Sequence, residues 1–108
     1  MEDDRRMARL IKVAELGELT PGHGKLIQVD GEDVALFNVN GTYYATGAVC
    51  PHEEGPLHEG EMDGETIICP WHGFDFHVKT GECSVDPDLR VKTYIVKTEG
   101  NDVCIEVA

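Results

Sequence analysis

The 108-residue sequence has few aromatic residues and no long apolar run. It contains three Phe, three Tyr and one Trp, and no stretch approaches the roughly 20 apolar residues of a membrane-spanning helix. The first nine residues are mostly charged, unlike the apolar core of a secretory signal. We therefore expect no membrane partner, and a cytoplasmic location is the prediction.

Cations are also scarce. The chain has nine Lys and Arg but 21 Asp and Glu, which gives a formal net charge of −12. This balance would repel nucleic acid, so no nucleic-acid partner is expected. Between residues 50 and 72 there is no Lys or Arg but there are six acids: Glu53, Glu54, Glu59, Glu61, Asp63 and Glu65. These acids either steer a basic partner protein or only keep the chain soluble.

Helical periodicity is missing as well, because no segment of eleven or more residues repeats its apolar positions every three or four residues. Short apolar runs instead alternate with turn signals. Asp30-Gly31, Asn40-Gly41 and Glu99-Gly100-Asn101 each separate two such runs, and these pairs favour the tight turns of β-hairpins. The sequence predicts an all-β fold, an antiparallel β-sandwich or barrel.

The middle of the chain differs from its ends. Gly and Pro recur every few residues there, and only Thr66–Ile68 and Phe74–Val78 look like strands. We interpret about 46–88 as a smaller subdomain inserted into the β scaffold. The whole chain, 1–108, is then a single domain with a flexible tail at 1–7.

Two short motifs in this insertion contain the candidate metal ligands. They are Cys50-Pro51-His52 and Cys69-Pro70-Trp71-His72, with sixteen residues between them. Two thiolates and two imidazoles suit a 2Fe–2S cluster in which both Cys hold one iron and both His hold the other. They also suit tetrahedral zinc, although the usual His-x₃₋₅-His spacing of such zinc sites is absent.

The pattern Cys-x-His, sixteen residues, Cys-x-x-His resembles the Rieske iron–sulfur signature, and Gly55-Pro56-Leu57 and Gly73 strengthen the likeness. From about Leu10 to Val107 the chain resembles the small Rieske-type ferredoxins of bacterial ring-hydroxylating dioxygenase systems. The resemblance implies one [2Fe-2S] cluster per chain, held by the ligands Cys50, His52, Cys69 and His72.

It also implies a soluble, monomeric one-electron carrier rather than an enzyme, which passes electrons from a flavin-dependent ferredoxin reductase to a terminal oxygenase. The alternative is the small Rieske subunit of a nitrite reductase-type complex, which is similar in pattern. In the family, a proline loop that covers the cluster lies where this chain has Asp86-Pro87-Asp88-Leu89.

Two departures from high-potential relatives bear on the reduction potential. Gly55 and Trp71 stand where those relatives carry a disulfide, and Phe74 and Phe76 stand where they place hydroxyl donors. Because lost donors destabilise the added electron, we expect a potential near the low end of the Rieske range of about −150 to +300 mV.

The remaining His and Cys residues are expected to have structural roles. We predict that His58 is a solvated loop residue rather than a third ligand, that His23 is inert in a turn, and that His77 is half-exposed in a strand. Cys83 and Cys104 are expected to be buried reduced thiols rather than a mutual disulfide.

Overall fold

The computed structural model describes residues 9–49, 56–70, 74–86 and 88–107. Within these ranges the chain forms nine strands and one short 3₁₀ turn, and no helix is long and apolar enough to cross a membrane. The strands are β1 (Arg9–Glu15), β2 (Gly24–Val29), β3 (Glu32–Val39), β4 (Thr42–Gly47), β5 (Glu61–Asp63), β6 (Thr66–Ile68), β7 (Asp75–His77), β8 (Thr93–Glu99) and β9 (Asp102–Val107); the 3₁₀ turn is Leu57–Glu59.

Six strands form the scaffold, an antiparallel sheet in the order β1-β9-β8-β4-β3-β2. Its two halves join through only two residue pairs, Ala45 with Tyr94 and Thr46 with Thr93, so the sheet can curl around one core. The predicted hairpins at Asp30-Gly31 and Asn40-Gly41 are confirmed, since all four residues have positive φ. The antiparallel all-β prediction is confirmed with them.

Strand β3 separates two hydrophobic cores and contributes side chains to both. Val34 and Leu36 pack into the scaffold core together with residues of β1, β2 and β9. Ala35, Phe37 and Val39 point the other way, into a second core that we call the insertion core. Because successive side chains of a strand alternate between its faces, a run that is apolar at nearly every position can line both cores.

The second sheet lies between β4 and β8 in the sequence. It has three antiparallel strands in the order β5-β6-β7, with Met62 paired to Ile67 and Ile67 to Phe76. Two of these strands were expected, but β5 was missed. Of its three residues only Met62 packs against the insertion core, while Glu61 and Asp63 are exposed, so the segment lacks an apolar alternation long enough to detect.

Close backbone contacts pack the insertion against β2 and against the segment that leads into β8. A Cβ at Gly24 would lie 2.7 Å from the His58 carbonyl oxygen, and one at Gly81 would overlap the carbonyl oxygen of Val91. The Val91 N–H donates to the Gly81 carbonyl at 2.9 Å, so this position has no room for a side chain.

Gly81→Ala tests that contact, and Gly31→Ala is its matched control. Both glycines have φ near +85°, but a Cβ at Gly31 meets nothing within 4 Å. The left-handed backbone costs each variant about 1–2 kcal/mol, and the overlap at Gly81 adds about 1–3 kcal/mol. We expect Gly81→Ala to unfold about 10 °C below Gly31→Ala in thermal melts of the holoprotein followed by circular dichroism. Equal melting temperatures would show that the insertion is not packed this tightly.

Candidate metal centre

Cys69 is the one predicted ligand that falls within the described residues; Cys50, His52 and His72 lie outside them. Cys69 directly follows β6, and only 1% of its surface is exposed. Its side chain belongs to the insertion core, beside residues of β6 and β7. A thiol in this position is shielded from solvent and fixed at the end of a strand.

Backbone contacts join the residues on either side of 70–73, the segment that completes the motif of Cys69. Ile68 pairs with Asp75 in the β6–β7 ladder, and the Cys69 N–H donates to the Phe74 carbonyl at 2.7 Å. Residues 70–73 therefore connect two points that a backbone hydrogen bond holds together. His72 lies on this four-residue connection.

Backbone contacts also join the residues on either side of 50–55, the segment that contains Cys50. Val49 and Pro56 form an isolated antiparallel bridge, and the Leu57 N–H donates to the Ala48 carbonyl at 2.9 Å. Residues 50–55, with Cys50 and His52 among them, connect the two sides of that bridge. The sequence patterns gave no indication of this bridge, because Val49 and Pro56 fall in no strand-like run.

Both loops start and end on the same packed core. Ala48 and Leu57 at the base of the first loop belong to the insertion core with Cys69, and Phe74 packs against it. Cys69 and the residues that flank 50–55 and 70–73 thus lie in one packed core or at its edge, and Cys50, His52 and His72 fall between these flanks in the sequence. A donor set of two thiolates and two imidazoles is chemically suited to a 2Fe–2S cluster with mixed ligands.

The two other described cysteines are buried thiols outside any disulfide, as predicted. Cys83 lies in the insertion core, and Cys104 is buried on β9 between Val103 and Ile105 in the sequence. Desolvation by burial raises the pKa of the Cys104 thiol, and the carboxylates of Asp102 and Glu99 raise it further. A thiol held protonated in this way is a poor nucleophile and a poor metal ligand.

For the histidines outside the motifs, the structure confirms the predicted turn at His23 and the predicted half-exposure of His77. His23 is exposed in its turn, and His77 is half-exposed, with its Nε2 3.4 Å from Glu65. The prediction for His58 is wrong, because only 20% of its side chain is exposed and its Nδ1 is buried without a hydrogen-bond partner among the described residues. The neighbouring Leu57 is fully buried, so the 3₁₀ turn holds His58 against β2 instead of leaving it in solvent.

Charge is distributed unevenly between the scaffold and the insertion. Every described Lys and Arg except Lys79 forms an ion pair, and five of these six cations pair with scaffold acids: Arg9, Lys12, Lys25, Lys92 and Lys97. Arg90 pairs with Glu82. Among the described acids, Glu61, Asp63, Asp86 and Asp88 of the insertion have no ion-pair partner, and neither do Asp33 and Glu99 of the scaffold. The insertion therefore presents negative charge that the chain itself does not neutralise.

A comparison with protein families matches residues 9–95 to the Rieske [2Fe-2S] domain. Among curated proteins, the chain is 35% identical over 97 residues to the biphenyl dioxygenase ferredoxin subunit of Pseudomonas sp. strain KKS102, covering 88% of this chain and 89% of that protein. It is also 35% identical to the ferredoxin component of the naphthalene 1,2-dioxygenase system of Pseudomonas aeruginosa, covering 91% and 95% of the two chains.

Solved structures show the same fold. The ferredoxin of carbazole 1,9a-dioxygenase from Nocardioides aromaticivorans IC177 superposes with a TM-score of 0.83 at 31% identity, covering 89% of this chain and 95% of that one. The chain also matches a complex of reduced oxygenase and oxidized ferredoxin of carbazole 1,9a-dioxygenase (TM-score 0.81, 30% identity, 88% and 99% covered). A nitrite reductase small subunit gives a TM-score of 0.83 at 28% identity, with 93% and 99% covered.

Proposed function

Because the chain belongs to the Rieske [2Fe-2S] domain family, we propose that Cys50, His52, Cys69 and His72 hold its cluster. The backbone contacts that flank residues 50–55 and 70–73 lie in or beside the insertion core, and they support this ligand set. When bound, the cluster supplies a centre that takes up and gives back one electron. Neutral imidazoles in place of two thiolates favour a higher potential than a cluster with four Cys ligands.

The described residues of the insertion would shield and position a cluster bound at Cys69. Cys69 is buried among Ile67, Phe76 and Val78, which keeps water from its sulfur and lowers the local dielectric constant. Since Phe76 is fully buried and has no hydroxyl, it offers no hydrogen bond to a cluster sulfur. A reduction potential at the low end of the Rieske range stays our prediction.

The function that the chain supports best is one-electron transfer to the terminal oxygenase of a ring-hydroxylating dioxygenase system. The observation that carries it is the match, over nearly the whole of both chains, to ferredoxin components of such systems. A structure of a relative in complex with its oxygenase supports the same partner. We propose a flavin-dependent reductase as the electron donor and a cytoplasmic, monomeric carrier.

A small subunit of a nitrite reductase is the second candidate, favoured by the similar structure at 28% identity. Gel filtration of native extract separates the two. A carrier elutes near its own mass of 11.9 kDa, whereas a permanent subunit elutes with its large partner.

Electron transfer from the reduced protein to the terminal oxygenase tests the proposed function. We expect the chemically reduced protein to be reoxidised by the purified terminal oxygenase of its own system and to support product formation by that oxygenase. Visible absorption of the cluster in a stopped-flow instrument follows the transfer. An intact cluster that the oxygenase cannot oxidise would contradict the proposed function.

Salt dependence extends this test to the unpaired acids of the insertion. If they attract a basic partner, the second-order rate should fall about tenfold between 20 and 500 mM NaCl, because the Debye length shrinks from roughly 20 Å to about 4 Å. Ferricyanide is the control acceptor, since its negative charge should make the rate rise with salt. A rate with the oxygenase that is indifferent to salt would show that these carboxylates serve only solubility.

The ligand set is tested by replacing single cysteines. Cys69→Ser should lose the visible spectrum and most of its iron, because a hydroxyl is a weak ligand for the cluster. Cys83→Ser is the matched control, since it changes another thiol of the insertion core and should keep about two irons per chain. Iron analysis and absorption spectra of both proteins, made under the same conditions, decide the point. A Cys69→Ser protein with a full iron content would contradict the assignment.

A further inference from the structure

Gly60 connects the bases of the two segments that contain the candidate ligands. At the base of residues 50–55, the Leu57 N–H donates to the Ala48 carbonyl at 2.9 Å. Gly60 ends the 3₁₀ turn that Leu57 begins, and the Gly60 N–H donates to the Leu57 carbonyl at 3.0 Å. A backbone hydrogen bond thus fixes Gly60 to the base of the first segment.

The same glycine lies against the base of the second segment. A Cβ on Gly60 would overlap the carbonyl oxygen of Ile68, the residue directly before Cys69. The Cys69 N–H in turn donates to the Phe74 carbonyl at 2.7 Å, and this bond forms the base of residues 70–73. The two bases therefore approach so closely at position 60 that no side chain fits between them.

The backbone conformation at position 60 does not itself require glycine. Gly60 has φ −72° and ψ 168°, which lies in the extended region that any residue adopts. Close approach of the Ile68 carbonyl is the feature that demands glycine here. An alanine at position 60 would therefore act through this contact and not through strain in its own backbone.

We propose that Gly60 is a positioning residue for the cluster, because its lack of a side chain sets the separation between the bases of residues 50–55 and 70–73. The proposal rests on the ligand set proposed above, which takes one thiolate and one imidazole from each motif. Groups behind metal ligands orient them and tune the metal. Because the insertion core is close-packed, a displacement at position 60 would pass to Cys69 instead of being absorbed.

A wider separation of the two bases would alter the reduction potential. Only 1% of the Cys69 surface is exposed, so water is kept from its sulfur while the bases stay in contact. Solvent exposure and hydrogen bonds to sulfur are among the factors that set the potential of an iron–sulfur cluster. Water that reached the sulfur would stabilise the added electron, and the potential would rise.

Gly60→Ala tests the spacing, and Gly81→Ala is its matched control. A Cβ at Gly81 would also overlap a backbone carbonyl oxygen, that of Val91, and the positive φ of Gly81 adds backbone strain. The control should therefore lose at least as much stability as Gly60→Ala. Its position differs, because the Gly81 N–H donates to the carbonyl of His77, at the end of β7 that is distant from residues 70–73.

Protein-film voltammetry of the holoproteins gives the decisive comparison. In Gly60→Ala, one-electron reduction should become about threefold more favourable, a rise of about 28 mV at about 59 mV per tenfold change. The potential of Gly81→Ala should stay within about 10 mV of the wild type. A purely structural role for Gly60 would predict the larger shift in the less stable control. A Gly60→Ala protein that folds but loses its iron, beside a Gly81→Ala protein that keeps it, would also support the proposal.

Ile67→Val in the Gly60→Ala background identifies the atom that causes the shift, with Ile67→Val alone as its reference. Cδ1 of Ile67 lies 3.0 Å from the position of a Cβ on Gly60, and valine lacks this atom. If the Ile68 carbonyl displaces the segment, the double variant should keep the raised potential. A return to the potential of the Ile67→Val reference would show that the Ile67 side chain was responsible, and the proposal would fail.

Hydrogen exchange of the wild-type holoprotein tests the same connection without a substitution. Because Gly60 joins the two bases, we expect peptides covering 56–60 and 66–70 to open as one cooperative unit. Their protection, measured by mass spectrometry as urea is raised, should be lost at the same urea concentration. Loss of protection in one peptide while the other stays protected would overturn the proposal, even if Gly60→Ala does not fold.

Two results of the voltammetry would also overturn the proposal. One is a potential of Gly60→Ala within about 10 mV of the wild type, and the other is an equal rise in Gly81→Ala. In both cases the wild type still takes up one electron at its cluster, so the proposed function stands. A wild-type protein that binds no iron would instead overturn the proposed ligand set.

Discussion

Strand β3 is buried on both faces, and the architecture depends on this constraint. Its even-numbered apolar residues complete the scaffold core, and its odd-numbered ones form one side of the insertion core. Phe37, fully buried, contributes the largest side chain to the second face. Because protein interiors are close-packed, the second face positions everything that packs on it. That includes Cys69 and the bases of both loops that carry the candidate ligands.

The scaffold could be predicted from the sequence because its signals are local. Asp30-Gly31 and Asn40-Gly41 adopt the positive φ values that two-residue hairpin turns require, and each turn fixes the register of its strands. The ligand pattern is also local, since two short motifs at fixed spacing are enough to suggest a mixed Cys and His site. The resemblance of the whole chain to Rieske-type ferredoxins then indicated that the cofactor is a [2Fe-2S] cluster.

What the sequence did not reveal depends on long-range packing. Strand β5 exists because Met62 meets Ile67 across the ladder, and neither flanking acid indicates it. His58 is mostly buried because the adjacent Leu57 anchors the 3₁₀ turn in the insertion core. The bridge between Val49 and Pro56 joins residues with no strand pattern. In each case the partner lies elsewhere in the fold, so periodicity along the chain could not report it.

The distribution of ion pairs also could not be predicted from the sequence, and it bears on the proposed function. The sequence shows only an excess of acids, whereas the structure shows which acids are already paired. Glu32, for example, accepts hydrogen bonds from Tyr94 and Lys92, which hold the pKa of its carboxyl below the ordinary value. Such surface pairs add little stability, but they cancel charge on the scaffold. Several of the described acids that remain unpaired lie in the insertion, where electron transfer would take place.

The central claim is that two loops anchored on one core hold two irons in unlike environments, sulfur ligands on one and imidazole nitrogens on the other. Mössbauer spectroscopy of protein enriched in ⁵⁷Fe tests it most directly. The account predicts about two irons per chain and two quadrupole doublets of equal area with distinct isomer shifts. A single doublet, or bound zinc in place of iron, would contradict it.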